Sequence, residues 1–212
     1  MTNHSLLKRL LPVGLLLGLL LLAISARQYP GGYNADPSSM GFYWAHNFFS
    51  DLLDPMAING DPNVARPWAV AGVLAISLSL ASFFYRFSER IPYGGSARVV
   101  RWSGIAASLF GLLVIIPSQH DIMVLLSGIC TLLVFFYLMV LVMPSRQPWL
   151  KVASVVFLML FYLATAMYFG RWMVEYLPLM QKLLLLIQAG WVVWLDHAVE
   201  REDMLPGKTA GS

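Results

Sequence analysis

The sequence predicts an all-α, polytopic membrane protein, a bundle of six transmembrane helices with both termini in the cytoplasm. Three observations carry this expectation. Of the 212 residues, 58% are hydrophobic and 12% charged. A soluble domain carries about 25% charged residues, so this chain has too little polar surface to coat its apolar content. The apolar residues gather in stretches close to the roughly 20 that a helix needs to cross a hydrocarbon core of about 30 Å. Threading those stretches back and forth places most of the basic residues on one side. The same composition excludes a disordered chain. The single cysteine, Cys130, excludes an intramolecular disulfide framework.

The spans fall at 10–26, 67–85, 102–119, 122–143, 152–170 and 178–195, the last interrupted by Lys182. Within lipid the backbone N–H and C=O groups must bond internally, which makes these stretches helices. They are too long and too continuously apolar for the alternating strands of a membrane barrel. The first stretch has a second reading. Lys8 and Arg9, an apolar run and Ala23-Ile24-Ser25-Ala26 also resemble a secretory signal peptide. Its run exceeds the roughly 7–15 residues of a signal core, which points to a retained span; cleavage would leave five.

Local chemistry sets the boundaries. Pro67 suits the first turn of a helix, where a missing N–H costs nothing. The polar stretch 88–98 contains Ile91-Pro92-Tyr93-Gly94-Gly95, a loop signal. Pro117 and Pro144 stand near the ends of the third and fourth spans. Trp68, Trp102, Trp149, Trp172 and Trp194 sit near span ends, where amphipathic rings settle at the interface.

With the N-terminus inside, Lys8, Arg9, Arg86, Arg90, Arg98, Arg101, Arg146, Lys151, Arg201 and Lys208 are cytoplasmic. Only Arg27, Arg66, Arg171 and Lys182 lie outside. The positive-inside rule produces this bias, and the expected location is the cytoplasmic (inner) membrane. Residues 1–199 then form a single bundle domain, and 200–212 form a polar cytoplasmic tail. The one long loop is the outer segment 27–66. Its ends carry turn residues, and its middle, 41–54, is aromatic and amphipathic, read here as a short helix on the outer face.

That middle holds the first candidate site, His46-Asn47-Phe48-Phe49-Ser50-Asp51-Leu52-Leu53-Asp54. On a helix, residues four apart share a face, pairing His46 with Ser50, Asn47 with Asp51 and Ser50 with Asp54. Ser118-Gln119-His120-Asp121, between the third and fourth spans, falls on the same outer face. Two histidines and several aspartates at one membrane surface suit acid–base or metal chemistry. On this reading His46, Ser50, Asp51, His120 and Asp121 form the catalytic set, and His46, His120 and Asp121 are candidate ligands for a divalent metal such as zinc. The plainer alternative leaves Asp121 as a helix cap and the outer segment as a solvated interfacial helix.

Arg171 and Glu175, also outside, are spaced for a helical ion pair. Alternatively, with Asn47, they contact a lipid headgroup or substrate. His197 follows Asp196 at the opposite end of the sixth span, where it meets the last helical carbonyls. Gly104, Gly111 and Gly128 would permit close helix approach. No charged residue sits mid-span as ion-driven transporters usually require. There is no phosphate-binding glycine loop, cysteine-rich metal motif or nucleophile elbow, and no basic stripe for nucleic acid.

Asn47-x-x-Ser50-Asp51-Leu52, a pair of spans, then Pro117-x-x-His120-Asp121 resembles the prokaryotic six-helix membrane family catalogued as domain of unknown function 998. The resemblance covers nearly the whole chain and implies a fold, not a reaction. A more distant likeness is to the alkaline ceramidase and adipoQ-type receptor superfamily, which binds zinc through three histidines with a Ser and an Asp. His46, Ser50, Asp51 and His120 match parts of that set, but the paired histidines of its last helix are missing. Two functions therefore stand side by side. One is metal-assisted hydrolysis of a lipid or amphiphile reached from the bilayer. The other is non-enzymatic binding of a lipid, small ligand or partner protein.

Overall fold

The computed structural model describes residues 3–145 and 147–205, with side chains from residue 9 onward. Arg146, Lys208, the Lys8 side chain and tail positions 206–212 lie outside the described residues. Six α-helices are described: α1 (Asn3–Gln28), α2 (Arg66–Ser88), α3 (Gly94–Leu113), α4 (His120–Val142), α5 (Pro148–Gly170) and α6 (Leu177–Ala198). Consecutive helices pack side by side, and α1 touches α6 to close the ring.

Proline opens α2, α5 and α6 within their first two positions, where no intrahelical N–H is needed. Five segments are long and apolar enough to cross a membrane: Arg9–Gln28, Arg66–Ser88, Pro117–Val142, Pro148–Gly170 and Val174–Ala198. The helix α3 falls short of that composition, because Arg98, Arg101 and several Gly and Ser residues dilute its apolar content. It also starts earlier and ends earlier than the expected 102–119. The stretch 88–98 is a loop only as far as Tyr93, and the chain leaves α3 before Pro117, whose ring cannot continue a helix. Arg101 is accommodated near the start of α3 by Ser88 Oγ at 2.8 Å and by the Tyr85 ring, 4.7 Å from its guanidinium carbon.

Small residues set the tightest crossings. A Cβ at Gly18 of α1 would overlap Ile76 and the Gly72 carbonyl of α2, and one at Gly14 would overlap Ser79. Gly14 and Gly18 form a Gly-x-x-x-Gly pair, the spacing that lets helix backbones approach in lipid. Of the glycines expected to do this, Gly104 does, against the fully buried Phe84. Gly111 makes only an ordinary contact with Ser127, and Gly128 faces open space.

At the end of the bundle remote from the 27–66 segment, Asp196 of α6 is fully buried. Arg90 reaches its carboxylate at 2.7 Å and its carbonyl at 2.8 Å, while Arg86 approaches the other carboxylate oxygen at 3.5 Å. This joins the end of α2 to the end of α6. His197 Nδ1 lies 2.8 Å from the Val193 carbonyl, an interaction with the last turn of α6 as expected. The polar tail is partly built in: Arg201–Met204 forms a 3-10 turn, and Met204 is buried against the core.

The segment between α1 and α2 is a folded cap. It opens with a short antiparallel hairpin, β1 (Gly31–Tyr33) with β2 (Asp36–Met40), within an otherwise all-α chain. The helix anticipated over 41–54 is interrupted at Phe48, which is extended (φ −77, ψ 155), and only a 3-10 turn, Phe49–Leu53, follows. Local side chains take backbone donors here, among them the Phe48 N–H that a helix would have used. Asn47 Oδ1 accepts the Tyr43 N–H, and Asp51 Oδ2 accepts the Phe48 N–H, each at 2.9 Å. Such competition is why Asn and Asp interrupt helices.

Candidate functional site

The cap is fastened to three helices. Ser25 Oγ, near the end of α1, donates to the Ala65 carbonyl at 2.8 Å. Arg66 Nε, opening α2, donates to the Leu53 carbonyl at 2.7 Å. In α6, Gln181 Oε1 accepts the Phe49 N–H at 2.8 Å, and Lys182 Nζ donates to the carbonyls of Asn47 and Pro178. Lys182 also sits over the rings of Phe42 and Phe49, at 5.3 and 5.2 Å. Within the cap, Asn63 Nδ2 spans the carbonyls of Leu52 and Asp54, at 3.1 and 2.8 Å.

Asn47 is the hub. It is fully buried, and its Nδ2 donates to the Gly32 carbonyl at 2.8 Å and to Asp51 Oδ2 at 3.0 Å. Asn47 and Asp51 thus meet, as their spacing suggested, but across a bend and not on a helix face. Burial pushes the Asp51 carboxyl above its ordinary pKa, and the nearby Asp54 adds to the rise. Hydrogen bonds from Asn47 and Phe48, and the Lys182 ammonium, pull the other way.

Beneath the cap lies a cavity of about 850 Å³, lined by residues from all six helices and from 48–54. Its rim carries Ser50, Asp51, Asp54, His120, Asp121 and Gln181, while its walls are mostly apolar. Along α4 the lining runs from His120 to Leu132, which at 1.5 Å per residue is a depth of about 18 Å. The ring contacts and side-chain bonds tying α5 to α4 and α6 lie below it. Phe157 meets Phe135 at 4.5 Å and Trp191 at 6.5 Å, and Trp191 Nε1 donates to Ser154 Oγ at 2.8 Å.

The cavity brings Ser50, Asp51, His120 and Asp121 together at one end of the bundle. His46 shares that end but not the cavity: its ring stacks on Tyr33 at 4.9 Å and Tyr43 at 5.2 Å. The extended Phe48 separates it from Ser50. Among the described residues no three His, Cys, Asp or Glu side chains gather as a metal set, so the residues present do not fit the zinc arrangement anticipated for His46, His120 and Asp121.

His120 opens α4. Its Nδ1 lies 3.0 Å from Asp121 Oδ1, and its Nε2 is sealed from solvent without a hydrogen-bond partner. Asp121 sits in the first turn and makes no capping bond; its side chain is 89% exposed. A carboxylate there also favours the helix N-terminus. Arg171 and Glu175 do not form the expected ion pair. The helix α5 ends at Gly170, Arg171 turns left-handed (φ 55), and Glu175 falls in a separate 3-10 turn, so four residues no longer span one helical face. Neither lines the cavity.

Gln181, Lys182 and Asn63 were not singled out as site residues by the sequence. Lys182 carried a usable signal, as the one charge interrupting an otherwise apolar span, since intramembrane charges are rare and have partners. Compared with protein-family models, with curated proteins and with solved structures, the chain matches none of them.

Proposed function

We propose that this protein is a six-span protein of the cytoplasmic membrane that takes an amphiphile from the outer leaflet into the capped cavity. The observation that carries the reading is the cavity itself. Its walls are mostly apolar, its carboxylates stand at one end, and its volume is inside the range of about 300–1,000 Å³ that holds a single small ligand. Crossing by α3 is supported by its packing between α2 and α4, and the orientation by the excess of basic residues at the end away from the cap.

Two experiments test this. Lipid extracts of purified protein should contain an amphiphile that is absent from Gly128→Phe, a variant chosen because Gly128 lines the cavity and a side chain there meets nothing within 4 Å. Identical extracts from the two proteins would sink the pocket. For the topology, a cysteine at Ser118 should react with a membrane-impermeant maleimide in intact cells; reaction only after permeabilisation reverses the orientation.

A hydrolytic reading is favoured by one observation, the His120–Asp121 contact that leaves Nε2 without a protein partner. Asp121 orients Nδ1; the ring must first turn Nε2, sealed from solvent in this arrangement, toward the cavity, where it accepts a proton from water as its oxygen attacks an ester carbonyl, and the imidazolium then returns that proton to the departing alkoxide. No metal enters this route. Hydrolysis of a lipid ester by the wild type, lost in His120→Asn while lipid still co-purifies, is the expected result. Equal rates in both proteins would leave binding alone.

A further inference from the structure

We infer that the cavity selects a lipid of the cap-side leaflet that inserts one acyl chain and bears an amine or hydroxyl head, and that it discriminates against anionic heads. This deepens the amphiphile reading and rests on it.

Depth identifies the occupant. The lining of α4 spans about 18 Å, close to the roughly 15 Å that one leaflet contributes to a hydrocarbon core of about 30 Å. The carboxylates of the lining stand only at the cap end; deeper, the wall is mostly apolar but carries the neutral Ser77, Thr131, Thr165 and Gln188, and the Phe135, Phe157 and Trp191 rings pack together beyond the lining. A chain anchored by its head at the rim therefore has about one leaflet's depth of mostly apolar wall to lie along.

Charge identifies the head. The rim presents the carboxylates of Asp51, Asp54 and Asp121, together with Ser50 and Gln181. Among the described residues no Lys or Arg lines the cavity. Lys182 is held by the Asn47 and Pro178 carbonyls, and Arg66 by the Leu53 carbonyl. An anionic head would enter a cluster of acceptors with no Lys or Arg among the described lining residues to meet it, which is how a site rejects the wrong ligand. An amine or a polyol brings the donors those acceptors lack.

The test uses three probes of equal chain length: dodecylamine, monododecanoylglycerol and dodecanoate, each tritiated. Each is titrated at neutral pH against protein in phosphatidylcholine nanodiscs, with empty nanodiscs subtracted. The amine and the glyceride should bind one per protein, with dodecanoate at least about tenfold weaker, equivalent to about 1.4 kcal/mol. Gly128→Phe should abolish all three. The double variant Asp54→Asn, Asp121→Asn should narrow the preference against dodecanoate while still binding the glyceride. Binding that Gly128→Phe does not reduce, or no protein-dependent binding at all, overturns the pocket. Binding that Gly128→Phe removes, but with dodecanoate equal to or tighter than the amine, leaves the pocket and overturns the head-group selection. A double variant that keeps the full preference also overturns it.

Discussion

The ammonium of Lys182 donates a hydrogen bond to the backbone carbonyl of Asn47, 135 residues earlier in the chain. A charge buried near the start of a membrane helix is costly unless it is partnered. Here the partners are two carbonyls and two aromatic faces, and the product is a fixed cap. Replacing Lys182 by Met should leave the Asn47 carbonyl without its donor, a loss of about 1–3 kcal/mol. Thermal unfolding in detergent should show a lower midpoint, with the cap newly sensitive to protease. An unchanged midpoint would mean that the cap is held without this contact.

Asp51 gives the cap a pH dependence. Its carboxyl has a higher pKa folded than unfolded, chiefly because burial disfavours the charge. The folded state therefore holds this proton more tightly, and by linkage stability falls as pH rises between the two values. Its contribution is fullest below the unfolded value near 4 and is lost as pH passes the raised folded one. Asp51→Asn keeps an oxygen to accept from Asn47 and Phe48 but cannot ionise. Melting curves taken across that window should slope downward with pH for the wild type and flatten for the variant. Parallel slopes would assign the dependence to another group.

Two glycines offer a contrast. A Cβ at Gly104 collides with the ring of Phe84, which has no room to yield, whereas one at Gly128 meets nothing. Gly104→Ala should destabilise by about 1–3 kcal/mol through overpacking. Gly128→Ala should stay within about 0.5 kcal/mol, as changes without such a clash do. Comparable losses in the two variants would show that the α2–α3 crossing is not set at Gly104.

At the far end, Asp196→Ala removes the acceptor from Arg90 and leaves Arg86 beside it without its carboxylate. Stranding buried charge typically costs about 3–5 kcal/mol, so this variant should be among the least stable single substitutions in the bundle. Folded yield and unfolding midpoint report it. Double replacement of Arg90 and Asp196 by apolar residues should recover part of the loss, because only Arg86 is then left without its carboxylate.

Hydrophobic run length made the helices legible in the sequence, since crossing lipid constrains a run residue by residue. Where Arg98 and Arg101 dilute the run, that signal slipped, and α3 was displaced toward the more apolar residues after it. The gathering of Ser50, Asp51, His120 and Asp121 was legible because both segments close the same end of the bundle. The departure of His46 was not. It depends on the break at Phe48, and that bend is completed by the neighbouring Phe49 N–H on Gln181, 132 residues away, beyond the reach of local spacing. The engagement of Lys182 depends in the same way on a fold that spacing cannot reveal.

The fastening of residues 47–49 by α6 also orders events during synthesis. Every acidic and imidazole group at the mouth has been translated by residue 121, yet the two side chains that lock Asn47 and Phe49 arrive only at 181 and 182. A nascent chain halted after the fifth helix would hold the reactive groups without the clasp that arranges them, so the mouth matures last, once the final hairpin has inserted.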